Sequence, residues 1–399
     1  MKLAALATGA IVLLVGFLIV TRGPATPFPA GPNDLRVEST WTSCDVSSAV
    51  VRMGSAEGQG AYLFFGVEDA RFLPDGGAAV LNRSSKQIRL FDSSGRFVRT
   101  LGGRGDGPGE LRDPIAIDLL RSDSIAVWDW SQGRITVYAW ADGGHRSVLL
   151  SSPAVNPTGS FGTVDRGEKG TTFLIGSNPQ AHFGGDTEGG HHFLHILQYS
   201  SQGHLLDTLR VLPYGRSLWV DEANREVGQP WFQPRGLFHV RDGLLYTATG
   251  DTSQVQVTAL TGPGAERTVN WTSPDRGIRP EHLQAHRAET FRRFEGNEYL
   301  TQRLQKVWNT MPSANRFPAL GELIADEAGR TWIKQYPRPD QSSQAWWLFD
   351  VDGDFQCAAR FPNRFDPLDF RGESVLGLFK DSLDIEFIEV RSITPPTDG

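Results

Sequence analysis

The sequence predicts an all-β protein built from one four-stranded unit repeated six times and closed into a ring. Two hairpin patterns recur along the chain, and the last unit is one strand short. Self-similarity of this kind decides the fold before any single residue does. One pattern reads "RLFDSSGRFVRTL" from Arg89, "LQYSSQGHLLDTL" from Leu197 and "WLFDVDGDFQCAA" from Trp347, with "VYAWADGGHRSVL" from Val137 as a looser copy. Each is an apolar strand, a small polar turn ending in glycine (Gly95, Gly203, Gly353), and a second alternating strand. Glycine there supplies the positive φ of a tight hairpin.

A second hairpin precedes each of these: "ARFLPDGGAAVLN" from Ala70, "IAIDLLRSDSIAVWD" from Ile115, "LFHVRDGLLYTAT" from Leu237 and "ELIADEAGRTWIK" from Glu322. Its second strand is short and rich in apolar residues, as a strand covered on both faces must be. Together the two hairpins make meanders over about 66–101, 112–150, 160–212, 235–271, 318–361 and 366–393. The sixth supplies only three strands before the chain ends. The missing one is expected from "SSAVVRM" at Ser47, which closes the ring and removes exposed sheet edges.

These patterns resemble the six-bladed β-propeller proteins of the NHL-like group, in particular exported bacterial propellers of unknown function. The likeness runs from about Val50 to Ile393. It is most specific in "GRFVRTLGGRGDGPGEL", "ADEAGRTWIKQY" and "VLGLFKDSLDIEFIEVRSI". It implies an all-β, six-bladed propeller and no particular activity, since fold does not fix function.

One stretch breaks the β pattern. "RPEHLQAHRAETFRRFEGNEYLTQRLQKVWNTMP" from Arg279 carries apolar residues at helical spacing, with a break at Gly296-Asn297, and predicts two helices within an insertion at 272–315 between blades four and five. The domain reading is therefore a signal segment over 1–25, a linker over 26–45 and a propeller over 46–395.

The N-terminus holds an uncharged run from Leu3 to Val20 followed by Gly23-Pro24-Ala25, which reads as a signal peptide cleaved after Ala25 or as a retained anchor. Either outcome places the body outside the cytoplasm, periplasmic, secreted or tethered, touching the membrane only through that segment if it is uncleaved. Cys44 and Cys357 are the two cysteines and can bridge in an oxidising compartment, or remain thiols. The net charge of −7 supplies no basic face to neutralise phosphates and excludes general nucleic-acid binding. A closed ring is expected to be a monomer.

In a meander of this kind, second-to-third strand turns and blade junctions share one face. The irregular segments fall there: the 102–111 joint, the Trp-rich stretch from Tyr214, the loop from Gly176 and the helical insertion. Long loops of this sort are the usual seat of function. Residues ending the second strands would rim the channel mouth: Asn82 with Arg83, Asp129 with Trp130, Asp251, Lys334 with Tyr336, and Lys380. Such a ring could bind a small polar ligand or simply cap the strands.

Other motifs are weaker. Arg104-Gly105-Asp106 sits in "GGRGDGPGEL", where glycine freedom at a blade joint explains more than an adhesion signal does; Arg104 and Asp106 are expected to be free of structural duty, and Gly105 and Gly107 to need positive φ. The same stretch lacks GxGxxG spacing. His182, His191, His192 and His195 crowd blade three, but neighbours on a strand point to opposite faces. "ADEAGRTW" resembles a sialidase Asp-box with one residue too many. Calcium-dependent propeller lactonases and esterases hold their ion with Glu, Asn and Asp from inner strands, and Glu68 or Asp69, Asn82, Asp129 and Asp251 are the candidates here. No serine nucleophile elbow or paired catalytic carboxylates stand out. The function expected is a non-catalytic extracytoplasmic binding or scaffold propeller that recognises a protein, glycan or small envelope ligand on the blade-junction face, without a cofactor. The alternative is a calcium-dependent hydrolase at the channel mouth.

Overall fold

The computed structural model describes residues 42–396 except 59, 121–122, 153–156, 166–169, 179–189, 224–225 and 262–265. The signal segment, most of the 26–45 linker, and His182 with its loop lie outside the described residues.

Six antiparallel sheets form the molecule. Strand β1 is Asp45–Met53. Blade one comprises β2 to β5 (Val67–Phe72, Ala78–Asn82, Gln87–Phe91, Phe97–Gly102), and blade two β6 to β9 (Pro114–Leu120, Ser124–Asp129, Arg134–Ala139, His145–Leu149). Blade three holds β10 to β14 (Pro157–Asp165, Thr171–Ser177, Gly190–Tyr199, Leu205–Asp221, Glu226–Gly228). Blade four holds β15 to β18 (Leu237–Arg241, Leu244–Ala248, Gln254–Ala259, Arg267–Asn270). Blade five holds β19 to β22 (Glu322–Ala325, Thr331–Lys334, Ser343–Phe349, Phe355–Pro362), and blade six β23 to β25 (Phe365–Arg371, Ser374–Lys380, Glu386–Thr394). The inner strands β2, β6, β10, β15, β19 and β23 pack against one another in turn around the ring. The chain is a six-bladed β-propeller.

Burial follows position. The second strands β3 and β11 are buried at every residue, because sheets cover both their faces. The outer strand β5 of blade one and the third strand β17 of blade four alternate. The repeated hairpins share one hydrogen-bond scheme: Asp92 N donates to Arg96 O and Gly95 N to Asp92 O (both 2.9 Å), and the Ser200 and Asp350 turns repeat it. The Asp92 carboxylate also accepts from Ser94 N and Arg96 N, as Asp350 does from Asp352 N and Asp354 N. Side-chain acceptors at turn starts are the physical reason for the recurring Asp or Ser there. Gly95 closes its turn at φ 80°, a conformation that costs other residues about 1 kcal/mol.

Ring closure is made by β1, which pairs antiparallel with β25 from Met53↔Ile388 to Asp45↔Thr394. Before that, the chain lies along blade five: Cys44 N donates to Ala358 O (3.0 Å) and Ala358 N to Thr42 O (2.8 Å). Cys44 and Cys357 are joined by a disulfide with Cα atoms 5.3 Å apart. The N-terminal segment therefore ties blades five and six as well as completing the latter.

The Trp-rich stretch from Tyr214 departs from the sequence expectation of an irregular joint. Its first part prolongs β13 to Asp221, and Glu226–Gly228 adds a fifth strand to blade three. The insertion contains helices α1, Pro280–Arg292, and α2, Glu298–Thr310. Pro280 opens the first at a position where its missing N–H costs nothing. Asn297 caps the second, accepting from Leu300 N at 3.1 Å.

The inner strands carry paired charges that link blades around the channel. Asp69 accepts from Ile117 N of blade two (3.0 Å), Asp118 from Thr163 N of blade three (2.7 Å), and Asp369 from Phe72 N of blade one (2.9 Å). Among them lie Arg71, bonded to Asp69, and Arg241, 3.5 Å from Asp369. Burial works to lower Arg71, yet Asp69, Asp369 and Asp118 outweigh it and hold its pKa up. Asp369 does the same for Arg241 against burial. Burial pushes Asp118 up, with the two arginines opposing.

Candidate functional site at the blade-junction face

Most of the polar residues expected to rim the channel mouth bond to the adjoining joint or the next blade. Asn82 is buried; its Oδ1 accepts from Phe65 N (3.0 Å) and its Nδ2 donates to Ser85 Oγ (2.9 Å). Arg83 reaches from blade one to Asp113 of the next joint (2.8 Å) and lies 3.5 Å from Glu68. Asp129, fully buried, accepts from Arg112 N (2.7 Å) and Asp113 N (3.1 Å). Lys334 pairs with Glu322 (3.1 Å) and with Asp366 of blade six (3.2 Å). Lys380 pairs with Glu386 (3.0 Å), whose other oxygen accepts from Val67 N of blade one (2.8 Å). Asp251 accepts from Thr249 Oγ1.

Their carboxylates do not converge. Asp69 is spent on Arg71 and on backbone N–H groups, Asp129 on a turn, and Asp251 on Thr249. Among the described residues no group of three His, Cys, Asp or Glu side chains stands where it could hold a metal ion. The donor set imagined for calcium does not fit one. His191 is exposed, and His192 Nε2 lies 2.6 Å from Ser217 Oγ.

The glycine-rich joint needs two corrections. Positive φ falls at Gly102 (74°), Gly105 (157°) and Gly109 (72°) and is absent at Gly107. Its middle is held by Glu110, whose carboxylate accepts from Gly107 N (2.8 Å). Nor is Asp106 free: it accepts from Arg112 Nε (2.6 Å) and Gln132 Nε2 (3.0 Å), stapling the joint to blade two. Arg104 donates to Ser84 O (2.9 Å).

What the face leaves exposed is apolar on one side. Phe65 is 76% exposed, Leu383 78% and Trp130 41%, on the joint into blade one and on the second-to-third strand turns of blades six and two. Nothing in their local sequence separates them from core residues.

The other side carries the helical cap. Trp231 packs on Trp308 (4.7 Å between centroids) and His286 (5.3 Å), and Phe232 on Phe317 (4.9 Å). Arg303 pairs with Glu226 (2.7 Å), and Lys306 with Asp221 (2.6 Å), fixing α2 to the prolonged edge of blade three. His282 Nδ1 accepts from Arg279 N (3.0 Å), while its Nε2 meets Asp340 of blade five (3.2 Å). The cap thus spans from blade three to blade five. Burial, with help from Arg293, pushes His286 down to about 4.

The two legs of the insertion meet where Phe317 N donates to Arg276 O (2.8 Å) and Gly277 faces Arg316. Beside them is a shallow cleft of about 10 Å³, lined by Arg276, Phe317, Gln335, Tyr336, Arg338 and Trp347. Tyr336 forms part of its wall, its hydroxyl pushed up to about 12 by burial. Sequence reasoning missed Arg276 and Arg338 in its lining, which are far apart in the chain and look like ordinary loop arginines.

Residues 73–146 match a family model described as a 6-bladed beta-propeller, a span running from the first turn of blade one to the start of the outer strand of blade two. No curated protein matches the chain. Similar solved structures include a protein described as exported from Bacteroides fragilis (12% identity, TM-score 0.49, covering 89% of this chain and 96% of that one). Others are a member of the DUF4221 family from Bacteroides vulgatus (10%, 0.48, 90% and 99%) and a calcium-binding protein, regucalcin, from Agrobacterium tumefaciens (12%, 0.43, 88% and 96%).

Proposed function

We propose that this propeller is a non-catalytic binding or scaffold protein that works outside the cytoplasm and engages a protein, glycan or small envelope ligand through its blade-junction face. One observation carries the reading: the departures from a regular blade (the cap, the prolonged β13 and the exposed Phe65, Trp130 and Leu383) gather on that face, above a channel whose inner strands carry paired charges. Exposed aromatic and aliphatic residues beside anchored polar ones are the usual makeup of a recognition surface. The Cys44–Cys357 bridge suits an oxidising compartment. Among the described residues no helix is long and apolar enough to cross a membrane, so any tether would be the N-terminal segment.

The test is retention of a component of the native envelope by immobilised protein, compared with a Phe65→Ser, Trp130→Ser, Leu383→Ser triple variant. These side chains are exposed, so the variant should fold with an unchanged thermal midpoint and lose the retained component. Retention of nothing, or equal retention by the variant, would overturn the reading.

A further inference from the structure

We infer that the crevice between blades three and four, at its blade-junction end, is a subsite for hydroxyl groups, made for the sugar of a glycan ligand. The inference rests on the binding reading of that face and names the ligand class that one of its subsites takes. Three side-chain atoms there are buried and, among the described residues, have no hydrogen-bond partner: Thr158 Oγ1 near the start of β10, Asn178 Oδ1 just past the end of β11 and His192 Nδ1 near the start of β12. They are gathered around Gly176. A Cβ on that glycine would lie 2.2 Å from Thr158 Oγ1, 2.9 Å from the Phe238 ring of blade four and 3.3 Å from Leu194. Gly176 pairs with Ile196, Asn178 follows it by two residues, and His192 precedes Leu194 by two, so alternation along the strands turns all of them to the side that faces blade four.

Thr158, Asn178 and His192 are each partly exposed, so the crevice opens onto the face. Beside them His192 Nε2 lies 2.6 Å from Ser217 Oγ, and Arg235, on the joint into blade four, donates to Gln229 Oε1 (2.9 Å) with its Cζ 5.5 Å from the centroid of the Tyr214 ring. Burial first, then Arg235 and His191, lower His192, so its ring is neutral at pH 7 and carries one N–H and one lone pair. A hydroxyl both donates and accepts. It therefore meets that ring in either tautomer, donates to Asn178 Oδ1 and takes either role toward Thr158 Oγ1. A carboxylate can only accept and has nothing to offer Asn178 Oδ1, and an ammonium would stand beside the like charge of Arg235. Three such atoms on one wall call for several hydroxyls on one ligand, which is what a sugar ring carries.

The test titrates the full folded protein with D-glucose, D-galactose, D-mannose and N-acetylglucosamine, following heat, with sodium acetate as the charged control. Saturable binding is expected for at least one sugar and none for acetate. T158V/N178L replaces two of the three atoms by methyl groups and should bind about tenfold more weakly, while R146Q, which removes an exposed arginine from the outer strand of blade two, should bind as wild type does. The atoms removed have no partner among the described residues, so the variant should fold; if it does not, T158V alone should bind several-fold more weakly. No saturable sugar binding would leave water as the occupant of the crevice and overturn the site, as would equal binding by T158V/N178L or tighter binding of acetate. Envelope retention separates the two ideas. Periodate cleaves vicinal diols, so treating the envelope component with it should abolish retention by wild type. If retention survives periodate and is equal for T158V/N178L, the sugar subsite fails and the binding face stands. If wild type retains nothing, the face reading fails and the titration decides the subsite alone.

Discussion

Reducing the Cys44–Cys357 bridge, or replacing both cysteines by serine, releases a loop closed over 313 residues. In the chain-entropy account a cross-link across that separation is worth about 5 to 6 kcal/mol at 25 °C. The bridge sits where the N-terminal segment leaves blade five for blade six, so what it guards is the closing strand. Without it, β1 is held by its ladder to β25 and by the Arg52–Glu389 pair. With an unfolding entropy scaled to some 350 ordered residues, the loss corresponds to about 7 °C in the midpoint. Urea unfolding with and without reductant measures the total. Hydrogen exchange locates it: amides of Ala49, Val51 and Met53 should exchange faster on reduction, while those of β7 and β11 should not. A loss below about 1 kcal/mol, or equal acceleration in every blade, would refute the view that the bridge guards the closing strand.

Acid should loosen the cap. His286 is lowered to about 4, so the unfolded chain binds its proton first as pH falls through 6.5. Stability present above 6.5 is then lost down to about 4, by at most about 3 kcal/mol. His192 and His239 are lowered too, so the measurement is the difference between wild type and His286→Phe in a pH series of urea midpoints, and parallel curves would refute it. In the glycine-rich joint, Gly109→Ala should cost more than about 1 kcal/mol, since φ is 72° and a Cβ would lie 2.8 Å from the His145 ring. Asp106→Asn should cost less than Gly109→Ala, because its pair with Arg112 is largely exposed. Thermal unfolding of the two variants checks the order.

The scaffold was legible because its signals are local. Turn chemistry around Gly95, Gly203 and Gly353, apolar second strands, and helical spacing after Arg279 each need only a short window of sequence. Ring closure was legible because the sixth unit lacks a strand. The prolonged β13 was not, since Pro213 and Gly215 read as breakers; the strand passes through that region with an irregular register opposite His191 and Phe193. For the rim residues, whether a charge serves a ligand or a neighbouring blade depends on partners distant in sequence. Lys334 meets Asp366, 32 residues away, and Val67 N meets Glu386, 319 residues away.

The channel shows how far that logic reaches. Inner strands of neighbouring blades pack without forming a continuous sheet, so N–H groups such as those of Phe72, Ile117 and Thr163 need acceptors. Aspartates supply them from blades six, one and two. Register puts His239 of blade four at the place that Asp369 holds in blade six, two residues before the last paired position. Three carboxylates already face two guanidiniums there, and a fourth would add a buried charge without a counter-charge. An imidazole fills the place while neutral, with burial first and then Arg71 and Arg241 holding it so. His239→Asp should therefore lower stability at pH 7 by about 3 kcal/mol or more. The deficit against wild type should shrink toward pH 5, as the added carboxyl takes up a proton instead of remaining charged. Urea midpoints at the two pH values read both effects. If the variant matches wild type at pH 7, charge balance is not what selects histidine there, and the shape of the ring must do so.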